Sequence, residues 1–214
     1  MSAEQYSQIR VLGLREGCNA IVRRLARHDD RGRTLIGITG PVGSGKTTLA
    51  RLLSEAIGGV VVSTDRYLPD YEQIASAERD RPEHSDLARL AMDLAGLKSS
   101  GRASVPRWSF HEHRRIGEEL ITAAGPVICE GIFALDASIR RAMNLRVFVE
   151  ADATTRWKRW EAIERSGERG WGVDAARTHF ETIAEPTFEE FEDDYRRSAD
   201  IVVQNNSQTT AGEA

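Results

Sequence analysis

The sequence predicts an α/β fold, an open and mostly parallel sheet of about five strands with helices on both faces. Three observations carry this expectation. Short, mostly apolar runs at 35–39, 60–63, 127–129, 146–149 and 201–203 alternate with segments of helical periodicity. Most of these runs lack the two-residue polar alternation of a strand wetted on one face, so they belong to strands covered on both faces. The first two are joined by a glycine-rich turn and an apolar-faced helix within roughly thirty residues, a βαβ unit with a right-handed crossover.

The elements follow in order. Val11, Leu14, Cys18, Ile21, Val22 and Leu25 recur at three- and four-residue steps and predict an N-terminal helix over 10–28. A polar loop at 28–33 leads to the strand at 35–39, the glycine turn, a helix over 46–57 and a strand at 60–63. Residues 67–81 are polar and irregular. A helix is expected over 86–97, a short strand within 103–110, strands at 127–129 and 146–149, and helices over 153–163 and 173–191. The last strand is 201–203, and the polar tail 205–214 is expected to be disordered. With no internal repeat and no long linker, residues 1–204 form one expected domain.

The 214 residues are 40% hydrophobic and 29% charged, as in ordinary soluble proteins. The net charge of −4 gives no electrostatic reason for a nucleic-acid or anionic-membrane partner. Cys18 and Cys129 both fall in apolar patterns and read as small core residues rather than a disulfide. The first ten residues hold no apolar signal core, and nowhere do 18 apolar residues run together, so a cytoplasmic location is expected.

Gly40-Pro41-Val42-Gly43-Ser44-Gly45-Lys46-Thr47, followed by Thr48, fits G-x-x-x-x-G-K-[ST] with a buried strand before it and a helix after it. Each part has a chemical reason. Glycines let the backbone wrap closely around phosphate with its N–H groups inward, and the helix that follows turns its positive end toward the anion. Lys46 reaches the β- and γ-phosphates of a nucleoside triphosphate, and the Thr47 hydroxyl suits Mg²⁺.

A GTPase would need a base-reading N-K-x-D after this loop, and none exists; Asp93-Leu94-Ala95-Gly96 fits D-x-x-G but lies inside a helical pattern. Two acids stand at strand ends, Asp65 after 60–64 and Glu130 after 126–129. In an open α/β sheet, ligands bind at the carboxyl ends of the strands, so Lys46, Thr47, Asp65 and Glu130 should share one crevice. Alone, Asp65 is as readily a turn or N-cap residue and Glu130 a satisfied strand-end acid. Together they make a set suited to phosphoryl transfer.

The blocks GPVGSGKTT, STDRYLPDY, PRWSFHEHRR, VICEGIFAL, RVFVEADATTRWKRW and EPTFEEFEDDYRRSADIVV, in that order, resemble the uridine kinase and phosphoribulokinase group of P-loop kinases over about residues 34–203. The I-C-E-G-I-F-A-L and P-x-F-E-E-F…A-D-I-V-V blocks are the more specific to the uridine-kinase-like branch. The resemblance implies a three-layer P-loop kinase fold with a small lid at about 156–172 and an acceptor-binding segment at about 66–115. It implies ATP and Mg²⁺ as cofactors, a small-molecule acceptor and a homo-oligomer. It places Asp65 as the base for the acceptor hydroxyl and Glu130 beside Mg²⁺. Tyr67, Trp108, Phe110 and His113 fall on the acceptor side, Arg156 at the substrate, and Arg159 and Arg169 among the lid arginines that stabilise the transferring group.

The sequence departs from the family at several of these positions. Trp108 stands where a tyrosine is usual, Trp171 replaces an arginine in E-R-G-R, and Arg79 takes the place of an aromatic. Most of the departures fall on the acceptor side. The resemblance therefore implies transfer from ATP to an alcohol, with the 5′-hydroxyl of uridine or cytidine the nearest acceptor. A sugar, another nucleoside or a pantothenate-like alcohol is the alternative, and a non-catalytic nucleotide-binding regulator is a second.

Overall fold

The computed structural model describes residues 8–27, 33–167 and 169–206. His28 and most of the predicted 28–33 loop, Glu168 of the predicted lid, the first seven residues and the tail beyond Asn206 lie outside the described residues.

Six parallel strands form the main sheet, in the spatial order β1 (Ile9–Leu12), β8 (Ile201–Gln204), β7 (Leu145–Glu150), β2 (Leu35–Thr39), β6 (Val127–Glu130) and β3 (Val60–Ser63). β2 runs between β6 and β7, with Ile38 opposite Glu130 and Thr39 opposite Phe148, and all five of its residues are buried. The central position explains the unbroken apolar run.

The sheet has one strand more than expected. Residues 9–12 pair in parallel with 201–204 instead of opening the first helix, and α1 (Leu14–Leu25) begins only after Gly13, at φ 79°. Val11 fell into helical register with Leu14 by coincidence. Ile9 and Val11 alternate with the more exposed Arg10 and Leu12, which is the pattern of an edge strand.

α2 (Lys46–Ile57) lies against α1 on one face of the sheet, where Leu49, Ala50 and Leu53 pack with Ile36, Ile38 and Val147. The other face is covered by α3 (Leu87–Ser100), whose Leu90, Leu94 and Leu97 meet Val62, Val127 and Cys129, and by α6 (Glu185–Ser198). Cys18 and Cys129 are both buried and free. Asp93 is no switch residue, since it sits in α3 and is held by Tyr67 and Arg89.

A hairpin of β4 (Arg102–Ser109) and β5 (Arg114–Thr122) stands apart as a second, antiparallel sheet. β5 was not legible in the sequence. Nearly all of it is exposed, so it carries little of the apolar signal that marks a strand. α4 (Ala153–Arg165) and α5 (Val173–His179) follow β7, and a π-helical turn at Phe180–Ala184 joins α5 to α6. The single helix expected over 173–191 is thus two α-helices with a widened turn between them, and the helical run reaches Ser198.

Candidate active site

The strand ends β2, β3 and β6 place the chemistry. After β2 the chain turns at Gly40–Gly45 into α2. At Gly43, φ is 74° and a Cβ would stand 2.5 Å from the Arg156 carbonyl oxygen, so only glycine fits. Ser44 Oγ is buried with no partner, an orphaned hydroxyl inside a loop of inward backbone. Lys46 is buried, and its Nζ donates to the Pro41 carbonyl at 3.3 Å, across the loop it closes. Burial pulls the Lys46 pKa down, against the opposing pull of Glu130 and Asp65. A desolvated cation and an unpaired hydroxyl around a glycine cradle fit a polyphosphate.

After β3 the chain enters a 3-10 turn, Thr64–Tyr67, in which the Asp65 N–H donates to Ser63 Oγ at 3.3 Å. Gly131, directly after β6, allows that turn to lie close, since a Cβ there would fall 1.9 Å from Thr64 Oγ1. Burial pushes the Asp65 carboxyl above the ordinary carboxylate range, with Lys46 and Arg169 opposing. Glu130 is pushed up as well, by burial first and then by the Asp65 charge. Thr47 Oγ1 donates to Glu130 Oε2 at 3.0 Å, while Thr47 and Thr48 are exposed in the first turn of α2. Among the described residues no three His, Cys, Asp or Glu side chains converge on a metal. Thr47 and Glu130 are nevertheless hard oxygen donors beside the phosphate cradle, the partial ligand set that suits Mg²⁺ when phosphates complete its shell.

One cavity joins Lys46 and Asp65. Val42, Lys46 and Asp65 line it together with Tyr71, Phe110, His113, Arg169 and Trp171, among others. Phe110 and His113 come from the β4–β5 turn, where His113 holds φ 51° and its carbonyl accepts from the Tyr71 N–H at 2.9 Å. The Tyr71 and His113 rings stack at 5.5 Å. The Trp171 indole N–H donates to His113 Nε2, joining the segment after α4 to the hairpin. The Arg169 guanidinium lies 4.6 Å from the Phe110 ring centroid, inside the cavity.

Several expected site residues stand elsewhere. Tyr67 is not on the acceptor side. It is fully buried in the core beneath the sheet, its hydroxyl bonded to Asp93 at 2.9 Å, because the 3-10 turn sends it inward as Asp65 faces the cavity. Trp108 packs against the core and donates from Nε1 to the Pro69 carbonyl, so it lines a neighbouring pocket beside Asp65 and Phe110 instead of the main cavity. Arg156 and Arg159 brace the phosphate loop from behind. Arg156 is captured by Glu185 in a bidentate pair and reaches the Val42 carbonyl. Arg159 donates to the carbonyls of Gly43, Ser44 and Asn205. Both sit on the face of α4 that meets the loop, where carbonyls and a carboxylate hold them. Sequence reasoning missed Tyr71, Asp80, Trp160 and His179 as cavity residues. Asp80 and His179 are 99 positions apart and bond at 2.9 Å, a pairing no local spacing announces.

The Arg156–Glu185 pair is nearly buried, with side-chain exposures of 9% and 18%. Removing one charge strands the other, so Glu185→Gln should cost about 3 kcal/mol of stability. It should also weaken nucleotide binding by loosening the loop that Arg156 props. Denaturant melts and nucleotide titration check both effects, and an unchanged nucleotide affinity would remove the bracing role.

A phosphate-binding P-loop that opens onto a carboxylate across a walled cavity defines the class, a P-loop phosphotransferase. The family model described as the Phosphoribulokinase / Uridine kinase family matches residues 35–211, and the chain belongs to that family. It is 30% identical over 186 residues to a uridine kinase of Halobacterium salinarum, covering 82% of each chain. It is 32% identical over 179 residues to a uridine kinase of Deinococcus deserti, covering 79% of this chain and 86% of the relative. Among solved structures, a possible uridine kinase from Bacillus stearothermophilus superposes with a TM-score of 0.62 at 20% identity, over 89% of this chain and 98% of that one. A proposed fructose transport system kinase from Silicibacter superposes with a TM-score of 0.68 at 19% identity, over 88% and 98%. At such identities the superpositions speak for the fold. By family the chain is a phosphotransferase with an alcohol group as acceptor.

Proposed function

We propose that the chain phosphorylates the 5′-hydroxyl of a pyrimidine nucleoside, uridine or cytidine, with ATP as donor and Mg²⁺ held by Thr47 and Glu130. The observation that carries this reading is a cavity lined both by Lys46 and Asp65 and by aromatic rings. A flat, amphipathic acceptor suits such walls, and the named relatives point to the same acceptor. ATP as donor fits a cytoplasmic enzyme, and no helix among the described residues is long and apolar enough to cross a membrane.

The division of labour follows from placement. Asp65 takes the proton of the attacking hydroxyl, a task suited by a carboxyl that burial makes more basic than an ordinary aspartate. Lys46 and the N-terminus of α2 offset charge on the donor's phosphates as the bond to the departing ADP breaks. Arg169, inside the cavity, supplies a guanidinium for the transferring group's oxygens. Mg²⁺ held by Thr47 and Glu130 would supply further neutralising charge to the donor. The segment around Arg169 and Trp171, tied to the hairpin through His113, acts as the lid that excludes water during transfer.

The test is acceptor-dependent ADP release with Mg-ATP across nucleosides, sugars, pantothenate and pentose phosphates. Uridine or cytidine should give the strongest response. In the Phe110→Ala variant the KM for that acceptor should rise about tenfold or more, with little change for ATP. A response confined to a non-nucleoside alcohol would replace the pyrimidine reading. Silence across the panel with ATP binding intact would favour a regulatory nucleotide-binding role.

A further inference from the structure

The wall made by His113, Trp171 and His179 has two sides. Its inner side faces the cavity that holds Asp65; its outer side faces a separate groove of about 490 Å³, lined also by Ser76, Arg79 and Thr178. Consecutive residues divide between the two. Asp80 lines the inner cavity and bonds His179 at 2.9 Å, whereas Arg79 lines the groove.

Arg79 is an unusual cation. No carboxylate among the described residues forms an ion pair with it. Its guanidinium lies 4.5 Å from the Tyr71 ring centroid, and its one hydrogen bond among the described residues is a long contact from Nη2 to the Tyr71 carbonyl at 3.4 Å. Nε is shut off from solvent with no partner. The contrast is with Arg81, two residues on, whose fork is filled by Glu190 at 2.8 and 3.0 Å. A guanidinium carries five donors in a plane suited to an oxyanion, and a half-buried one without a counter-charge is costly unless a ligand completes it. The groove adds the hydroxyl of Ser76 and the ring of His113, which burial and the Arg79 charge hold toward its neutral form.

We propose that this groove is an oxyanion subsite built on Arg79, taking a phosphate or carboxylate group just outside the acceptor cavity. The oxyanion comes either from an acceptor long enough to pass the His113–Trp171 wall or from a separate effector that touches the wall from outside. The subsite stands apart from the pyrimidine reading, because its geometry does not depend on which alcohol is phosphorylated.

Inorganic phosphate is the probe, with the P-loop saturated by Mg²⁺ and a non-hydrolysable ATP analogue so that the loop cannot bind it. Trp171 lines the groove, so tryptophan fluorescence and melting temperature both report on binding. Phosphate should raise the melting temperature saturably, and Arg79→Gln should weaken that response at least tenfold while melting normally without phosphate. Arg79→Lys, which keeps the charge but loses the fork, should fall between them. No saturable response in the wild type, or an equal response in Arg79→Gln, would overturn the subsite. Since neither readout needs turnover, a failed kinase assay would leave this result standing. Turnover then separates the sources. A KM raised in Arg79→Gln only for alcohols that bear a phosphate or carboxylate assigns the oxyanion to the acceptor. An Arg79-dependent effect of free phosphate on turnover of a neutral acceptor assigns it to an effector.

Discussion

Asp65→Asn should lower turnover by on the order of 10³-fold while leaving ATP binding nearly intact, because the amide keeps the shape of the turn and loses only the proton acceptor. The pH profile adds a second signature. Burial raises the Asp65 pKa, so the acid limb of kcat/KM in the wild type should lie above the usual aspartate value of about 3.9, and the variant should lack it. Stability should move the opposite way to activity. A folded-state carboxyl with a raised pKa holds its proton more tightly than the unfolded chain does. The folded form is therefore favoured at low pH and loses that advantage as pH rises through the folded pKa. Above the folded pKa the ionised Asp65 is a cost that asparagine removes, so there the variant should melt higher than the wild type, with the gap closing on acidification. Equal losses in turnover and ATP affinity would make Asp65 a metal-holding residue instead of the base.

Lys46→Ala should cost turnover by about 10²- to 10³-fold, the usual scale for removing a preorganised charge from a developing anion, and should weaken ATP binding as well. Lys46 is the largest opposing influence on the raised Asp65 pKa. Without it the acid limb of the residual activity should move to higher pH, the reverse of the limb's disappearance in Asp65→Asn. Steady-state kinetics across pH in both variants separate the two roles. Unchanged turnover in Lys46→Ala would remove the phosphate assignment of the whole loop.

The two variants probe residues that were legible for different reasons. Lys46 and Thr47 belong to a motif whose local geometry is nearly self-contained, a strand, a glycine turn and a helix start, so their placement followed from spacing alone. Asp65 and Glu130 were legible because each follows a short apolar run, and parallel strands bring their carboxyl ends to one edge. The register confirms the neighbourhood, with Ser63 opposite Glu130 and Ile38 opposite it on the other side.

The arginines of α4 show the limit of such reading. Spacing put Arg156 and Arg159 on one face, and the structure keeps them there, but that face meets the back of the phosphate loop. Glu185, a residue 29 positions on, takes Arg156, and only the return of α6 across the sheet brings it there. Tyr67 failed for a related reason, since a 3-10 turn rotates each residue by about 120° and two positions beyond Asp65 it points into the core.

The apolar runs, the glycine loop and the two strand-end acids were written in the chain because each depends on neighbours within a few residues, or on the burial that a run of aliphatics demands. The sixth strand, the exposed arm of the hairpin, the capture of Arg156 and the wall between Asp80 and Arg79 depend on segments up to 192 positions apart, such as Ile9 and Ile201. Their partners were chosen by packing and by the need to satisfy buried charge, and no periodicity in a single segment encodes either.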